Sequence, residues 1–79
     1  EREYFYFEFQ EAGGRQAVIK DNWKLLHLNI RNGGVYELYN IASDPSENNN
    51  IIDQFPEKAN QLKEIMNEAR WEDPNWPLF

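Results

Sequence analysis

His27, the single histidine, is the side chain best suited to moving a proton at neutral pH. General-base catalysis also needs a carboxylate that orients the imidazole and a nucleophile beside it, and the sequence near His27 supplies neither. Period-two alternation places His27 on one strand face with Trp23 and Leu25. We therefore expect a partly buried sheet residue rather than a catalytic base.

Glu8 and Glu11 flank Gln10 at the end of a strand-like segment. Paired carboxylates perform acid-base work when their environments separate their pKa values. Residues three apart on a strand point to opposite faces, however, so the two side chains would diverge. The sequence favours a solvated or partner-facing edge over a catalytic pair.

Three further acidic residues, Asp44, Glu47 and Asp53, are spaced too irregularly for a calcium loop, which needs alternating oxygen ligands and a central glycine. The pair Asp44-Pro45 is typical of a turn. We expect no metal site and no catalytic residue in this chain.

The alternating residues Phe5, Phe7 and Phe9 could stack on sugar rings. Core packing beneath a helix is the interpretation that we favour for this stripe. It predicts that all three phenylalanines are buried.

Near the end of the chain, Trp71, Trp76 and Phe79 accompany Pro74 and Pro77, which stop regular structure. So small a chain cannot enclose this many large aromatic side chains in addition to a core. We predict that Trp71, Trp76 and Phe79 form a docking surface.

The hydrophobic periodicity predicts an α+β fold: a small four-stranded antiparallel meander, then one helix packed on it and an extended aromatic tail. The strands are predicted at about residues 4–11, 16–20, 23–29 and 36–41, the helix at about 56–70 and the tail at 71–79. Asp21-Asn22 is a two-residue hairpin turn, and Pro56 suits the first position of a helix. We expect a single domain spanning residues 1–79.

The composition of the chain excludes several classes of function. With 79 residues there is room for one domain, and the net charge of −6 without a basic cluster makes nucleic acid an unsuitable ligand. The absence of cysteine rules out disulfides, thiolate zinc sites and cysteine nucleophiles in this segment. No apolar run approaches the length of a membrane span. The chain begins with Glu1 instead of Met, and we expect a mature product or an excised fragment.

Five stretches taken in order resemble the C-terminal subdomain of type I, formylglycine-dependent sulfatases. They are a strand ending in Glu followed by a Gly-Gly-basic-Gln-Ala-Val turn, a Trp-Lys strand, a Glu-Leu-Tyr strand, an Asp-Pro-x-Glu-x-x-Asn turn and a terminal segment. In this chain they are Phe7 to Ile19, Asn22 to Leu25, Tyr36 to Asn40, Asp44 to Asn50 and Asp73 to Phe79.

The resemblance implies a parent enzyme that hydrolyses sulfate esters of sulfated carbohydrate and that is secreted or periplasmic. Calcium and formylglycine are expected in its catalytic domain, the latter made from Cys or Ser in Cys/Ser-x-Pro-x-Arg. The run Ser43 to Glu47 imitates this motif, but Glu47 stands where Arg is required. The chain alone is therefore expected to be inactive and to hold no cofactor.

By the same resemblance, the loop from Gln10 to Gln16 lies toward the active site of the complete enzyme. Gln10, Glu11, Arg15 and Gln16 are the candidates for shaping the substrate pocket. Gln10 stands where many relatives have His, and it can bind but cannot exchange a proton at neutral pH. A loop that only packs against the catalytic domain is the open alternative.

The expected partner is the catalytic domain of the parent sulfatase. Isolated copies of the chain are expected to self-associate through the sheet face or the tail at residues 71–79. The alternative function is a free-standing, aromatic-rich module that binds glycan or peptide. The reading frame upstream of Glu1 would separate the two, because only a sulfatase carries the nucleophile motif there.

Overall fold

The computed structural model describes residues 4–9 and 13–71, except for the side chains of residues 70 and 71. Its elements are four strands, a short 3₁₀ helix and one α-helix: β1 (Phe5–Phe9), β2 (Arg15–Lys20), β3 (Trp23–Leu28), the 3₁₀ helix (Ile30–Asn32), β4 (Val35–Asn40) and α1 (Pro56–Trp71). The strands form one antiparallel sheet in the order β1-β2-β3-β4, which confirms the predicted α+β meander with a following helix. The predicted tail beyond Trp71 lies outside the described residues.

The sheet register follows from the tight turn between β2 and β3. Asp21 has a φ of 58°, a left-handed conformation that Asp tolerates in two-residue hairpin turns. This turn sets Lys20 opposite Trp23 and Val18 opposite Leu25. Since side chains alternate along a strand, the register also decides which residues share a face.

One face of the sheet is covered by α1. Val18, Leu25 and Leu38 are completely buried, and the helix contributes Ala59, Leu62 and Met66 at 1–2% exposure. The helical residues follow the spacing i, i+3, i+7 of a single apolar stripe. Within the described part of the chain, no helix is long and apolar enough to cross a membrane.

The segment between β4 and α1 covers the outer edge of β4. The side-chain oxygen of Asn50 accepts hydrogen bonds from the backbone N–H of Leu38 (3.0 Å) and of Ile52 (3.2 Å). The Ile51 N–H donates to the carbonyl of Leu38 at 2.8 Å. Both backbone groups of Leu38 are thus satisfied at an edge that would otherwise be unpaired.

The prediction that Phe5, Phe7 and Phe9 form the core beneath the helix is wrong. They are 69%, 42% and 45% exposed and lie on the sheet face opposite α1, whereas Tyr6 packs against the core. Tyr6 is paired with Val18, so the register of β1 on β2 turns Tyr6 toward the helix and the phenylalanines away from it.

We expect Leu25→Ala to lower the free energy of unfolding of the chain by about 2–5 kcal/mol, because it leaves a cavity among fully buried side chains. Leu28→Ala is the matched control, since Leu28 is only partly buried and lies on the opposite face. Urea unfolding followed by circular dichroism measures both. Equal losses in the two variants would contradict the assignment of the core to the helix side.

Candidate functional site

The sheet face opposite α1, called here the open face, is an apolar surface. Six of its residues line a groove of about 470 Å³: Phe7, Phe9, Ala17, Ile19, Leu26 and Leu28. Isolated apolar side chains are common on protein surfaces, but a contiguous patch with charged residues at its border is typical of an interaction surface. The open face is therefore the first candidate site.

Within the part of the chain that the structure describes, two cations lie on the open face, and they differ in their partners. The Lys24 ammonium forms an ion pair with Glu47 at 2.7 Å. The guanidinium carbon of Arg15 lies 5.4 Å from the centroid of the Phe9 ring, and these two residues are directly opposite each other in the register of β1 and β2. Among the described residues, no carboxylate forms an ion pair with Arg15.

The loop between β1 and β2 is attached to the 3₁₀ helix. The carbonyls of Gly13 and Gly14 accept hydrogen bonds from the N–H groups of Arg31 (2.9 Å) and Ile30 (3.1 Å). Gly13 has a φ of +85°, and a Cβ there would lie 2.8 Å from the side-chain oxygen of Asn29. The close approach of the two loops therefore requires glycine at this position.

A chain of hydrogen bonds, called here the relay, runs across the helix side of the sheet through Glu8, Tyr6, Gln16 and His27. The Tyr6 hydroxyl donates to Glu8 at 2.5 Å and accepts from Gln16 Nε2 at 2.8 Å. His27 Nδ1 lies 2.8 Å from Gln16 Oε1. Gln16 is only 7% exposed, and both ends of its amide are hydrogen-bonded, as a buried amide requires.

The relay fixes the tautomer of His27. The Tyr6 hydroxyl donates its hydrogen bond to Glu8, so its oxygen accepts one from the amide nitrogen of Gln16. The other end of the amide, Gln16 Oε1, can then only accept. His27 Nδ1 must therefore carry a proton, and Nε2 is the unprotonated nitrogen of the neutral ring. A Cβ at Gly34 would lie 2.5 Å from Nε2, so a larger residue at that position would displace the imidazole.

The surroundings of His27 disfavour its charged form. Burial lowers the pKa of His27 below its ordinary value of 6.5, and the positive charge of Lys63 lowers it further. The imidazole is stacked on Tyr36 with a centroid distance of 4.1 Å and an interplanar angle of 6°. Lys63 Nζ lies 4.3 Å from the centroid of the same tyrosine ring. The imidazole is consequently neutral at pH 7, and its partner in the relay is an amide rather than a carboxylate.

Two tyrosines also have altered acidity. The hydrogen bond from the Tyr39 hydroxyl to Glu37, at 2.7 Å, together with burial and neighbouring acidic charges, raises the pKa of Tyr39 to about 12. Burial raises the pKa of Tyr36. Both hydroxyls stay protonated at neutral pH, so neither is suited to act as a general base.

Of the four predicted pocket residues, the structure describes Arg15 and Gln16, which point to opposite faces of the sheet. Arg15 lies on the open face, whereas the neighbouring Gln16 points to the helix side and belongs to the relay. Gln10 and Glu11 lie outside the described residues.

The predicted docking residues Trp76 and Phe79 also lie outside the described residues. Trp71 ends α1, and its side chain is not described. The docking role of Trp71, Trp76 and Phe79 therefore stays a prediction. The sequence predicted contacts through a sheet face, but the assignment of Phe5, Phe7 and Phe9 to the core did not identify them as part of that face.

Two of the acidic residues considered as metal ligands, Asp44 and Glu47, have other partners. The two carboxylate oxygens of Asp44 accept the N–H groups of Asn48 (3.0 Å) and Asn49 (2.9 Å), which is turn chemistry. Glu47 is paired with Lys24. In residues 4–9 and 13–71, no group of three or more His, Asp or Glu side chains could hold a metal ion.

Comparison with known proteins gives a sequence relative and a structural one. A curated N-acetylgalactosamine-6-O-sulfatase of Bacteroides thetaiotaomicron is 26% identical over 77 residues, covering 82% of this chain and 15% of the relative. The solved structure of BT4656 in complex with its substrate D-glucosamine-2-N,6-O-disulfate has a TM-score of 0.77 at 21% identity. The superposition covers 94% of this chain and 17% of that protein. No family model matches the chain.

These comparisons confirm the resemblance of the chain to sulfatases and support its assignment to the C-terminal subdomain. The structural match shows that the meander and its helix form a recurring fold. The chain spans about one sixth of the length of both relatives, 15% and 17%.

The tautomer of His27 can be tested directly, because the chain contains one histidine. In ¹⁵N-labelled protein we expect long-range ¹H–¹⁵N spectra to show a protonated Nδ1 and an unprotonated Nε2 at pH 7.5. Gln16→Leu removes the acceptor, so the variant should lose this preference. A protonated Nε2 in the unaltered chain would show that the relay has a different hydrogen-bond direction.

We also expect His27 to make stability depend on pH. Its pKa is lower in the folded than in the unfolded chain, so the unfolded state binds more protons just below pH 6.5. The contribution of the neutral imidazole is complete above pH 6.5 and is lost as the pH falls through the folded-state pKa. The difference in unfolding free energy between the unaltered chain and His27→Gln, measured at several pH values, isolates this effect from the carboxylates. An unchanged difference between pH 7.5 and 5 would contradict the lowered pKa.

Proposed function

We propose that this chain is a non-catalytic C-terminal subdomain of a sulfatase and that it packs on the catalytic domain through the open face. The observation that carries this proposal is the apolar sheet surface opposite α1. Phe7 and Phe9 are 42% and 45% exposed there beside a groove lined by aliphatic side chains. A covering domain would remove this surface from water.

The greater length of the two relatives favours a partner domain within the same polypeptide. The relatives are about six times longer than this chain, which covers 15–17% of them. A large catalytic domain is therefore expected in the same protein. Interfaces between domains of one chain commonly bury about 600–1,500 Å² of surface, which is enough to cover the open face.

The substrate class of the parent is also part of the proposal. The sequence relative is named for 6-O-desulfation of N-acetylgalactosamine, and BT4656 is complexed with a disulfated glucosamine as its substrate. These names support a parent enzyme that hydrolyses sulfate esters of carbohydrate. We further propose a secreted or periplasmic parent, which suits a polymeric glycan substrate outside the cytoplasm.

The cofactors that the resemblance implies do not fit the residues of this chain. Formylglycine requires the motif Cys/Ser-x-Pro-x-Arg, and Glu47 replaces its arginine in the run that begins at Ser43. A calcium ion requires several oxygen ligands, and the described residues hold no acidic cluster that could supply them. We place both groups in the catalytic domain of the parent.

For the loop between β1 and β2, the structure supports a positioning role. Gly13 and Gly14 are held against the 3₁₀ helix, and Gln16 is held within the relay. The β2 end of the loop is thus anchored, while Gln10 and Glu11 lie between β1 and this anchor in sequence. We propose that Gln10 and Glu11 are the residues of this loop that face the substrate pocket.

A free-standing glycan-binding module is the second candidate function. It is favoured by the stripe of exposed phenylalanines on β1, since aromatic rings stack on the apolar faces of sugars. The reading frame upstream of Glu1 discriminates between the candidates. Cys/Ser-x-Pro-x-Arg within a large α/β domain supports the sulfatase subdomain, and its absence supports the binding module.

The docking role of the open face predicts that Phe7→Ser affects the full-length protein more than the isolated chain. Burying a phenylalanine contributes about 1.5–3 kcal/mol. We therefore expect a loss of about 2 kcal/mol in the full-length protein and less than about 0.5 kcal/mol in the isolated chain, where Phe7 is already partly in water. Denaturant unfolding of both forms measures the difference.

Phe55→Ser is the matched control, because Phe55 is also 42% exposed but contacts Trp23 on the helix side, with ring centroids 5.2 Å apart. Its effect should be the same in the two forms. An equal effect of Phe7→Ser in both forms would contradict docking through the open face. Self-association of the isolated chain through this face stays a prediction, and sedimentation would measure it.

A further inference from the structure

We propose that Arg15 forms an ion pair with a carboxylate of the catalytic domain that covers the open face. This inference rests on the proposed function and specifies the chemistry of the partner: an apolar surface with one Asp or Glu placed against β2. The structural basis is the position of the Arg15 guanidinium over Phe9, at the border of the apolar groove.

The charges on the open face distinguish Arg15 from the other cation. Lys24 is paired with Glu47 at 2.7 Å, so both of these charges are already compensated within the chain. Arg15 contacts an aromatic ring, and no described carboxylate forms an ion pair with it. Its five N–H donors lie in the plane of the guanidinium and point outward from its edge, where the carboxylate of a second protein surface can accept them.

Desolvation makes a partner necessary. A domain that covers Phe7 and Phe9 would also remove water from the guanidinium beside them. A buried charge without a partner costs several kcal/mol, whereas a bidentate carboxylate satisfies both the charge and the N–H groups. The net charge of the chain is −6, so Arg15 provides a local positive site on an otherwise acidic molecule.

The cation–π contact with Phe9 favours a protein carboxylate over an anionic group of the substrate. It keeps the guanidinium at the strand face where docking is proposed. Arginine held on an aromatic ring loses less conformational entropy on binding, and such residues are common in the centres of protein interfaces.

The experiment uses the full-length protein with Arg15→Gln, and Lys58→Gln as the matched control. Lys58 is likewise a cation over an aromatic ring, 5.7 Å from the centroid of Trp23, but on the helix side. We expect Arg15→Gln to lower the melting temperature by about 2–4 °C more than Lys58→Gln does, because it leaves a carboxylate unpaired at the interface. Arg15→Glu should be worse, and a library that changes acidic residues of the catalytic domain to Lys should yield a suppressor of it.

The possible results separate this inference from the proposed function. If Phe7→Ser destabilises the full-length protein and Arg15→Gln does not, docking through the open face holds and the ion pair is wrong. If neither variant has an effect specific to the full-length protein, the proposed function itself is wrong. An unchanged melting temperature with a several-fold higher KM for N-acetylgalactosamine 6-sulfate would show that Arg15 binds substrate, which also overturns the inference.

Discussion

A four-stranded sheet has two faces, and a single helix covers one of them. In this chain α1 packs on the residues around Val18 and Leu25, and no second layer exists in the described residues to cover the opposite side. Layered folds bury both faces of a sheet unless one face is polar, and here the uncovered face carries phenylalanine and leucine. The docking proposal, the exposure of the phenylalanine stripe and the interpretation of Arg15 all depend on this geometry.

The register arranges the helix side into two rows with different functions. Tyr6, Val18, Leu25 and Leu38 are directly paired from strand to strand and form the apolar row beneath the helix. The next row, Glu8, Gln16, His27 and Tyr36, is polar and contains most of the relay. The hydrogen bonds that join Glu8, Gln16 and His27 through the relay would be broken by a shift in strand pairing, so the polar row specifies the register that the apolar row alone would determine less strictly.

The order and type of the elements were predictable because each segment has a clear period. The stripe of Ala59, Leu62 and Met66 and the turn at Asp21-Asn22 define α1 and the central hairpin without tertiary information.

The orientation of β1 was not predictable in this way. Phe7 and Tyr6 are both large aromatic residues, so the alternation identifies the two faces of β1 but does not show which face is buried. The pairing of Tyr6 with Val18 determines which face of β1 is buried. This pairing depends in turn on the loop between β1 and β2, where Gly13 is required.

The segment that covers β4 closes this edge of the sheet to other strands. Asn50 and Ile51 occupy the backbone groups of Leu38 in the middle of that strand, so an incoming strand from another polypeptide finds no free partner there. Strand addition to this sheet, whether by another domain or by aggregation, is therefore blocked at the middle of β4.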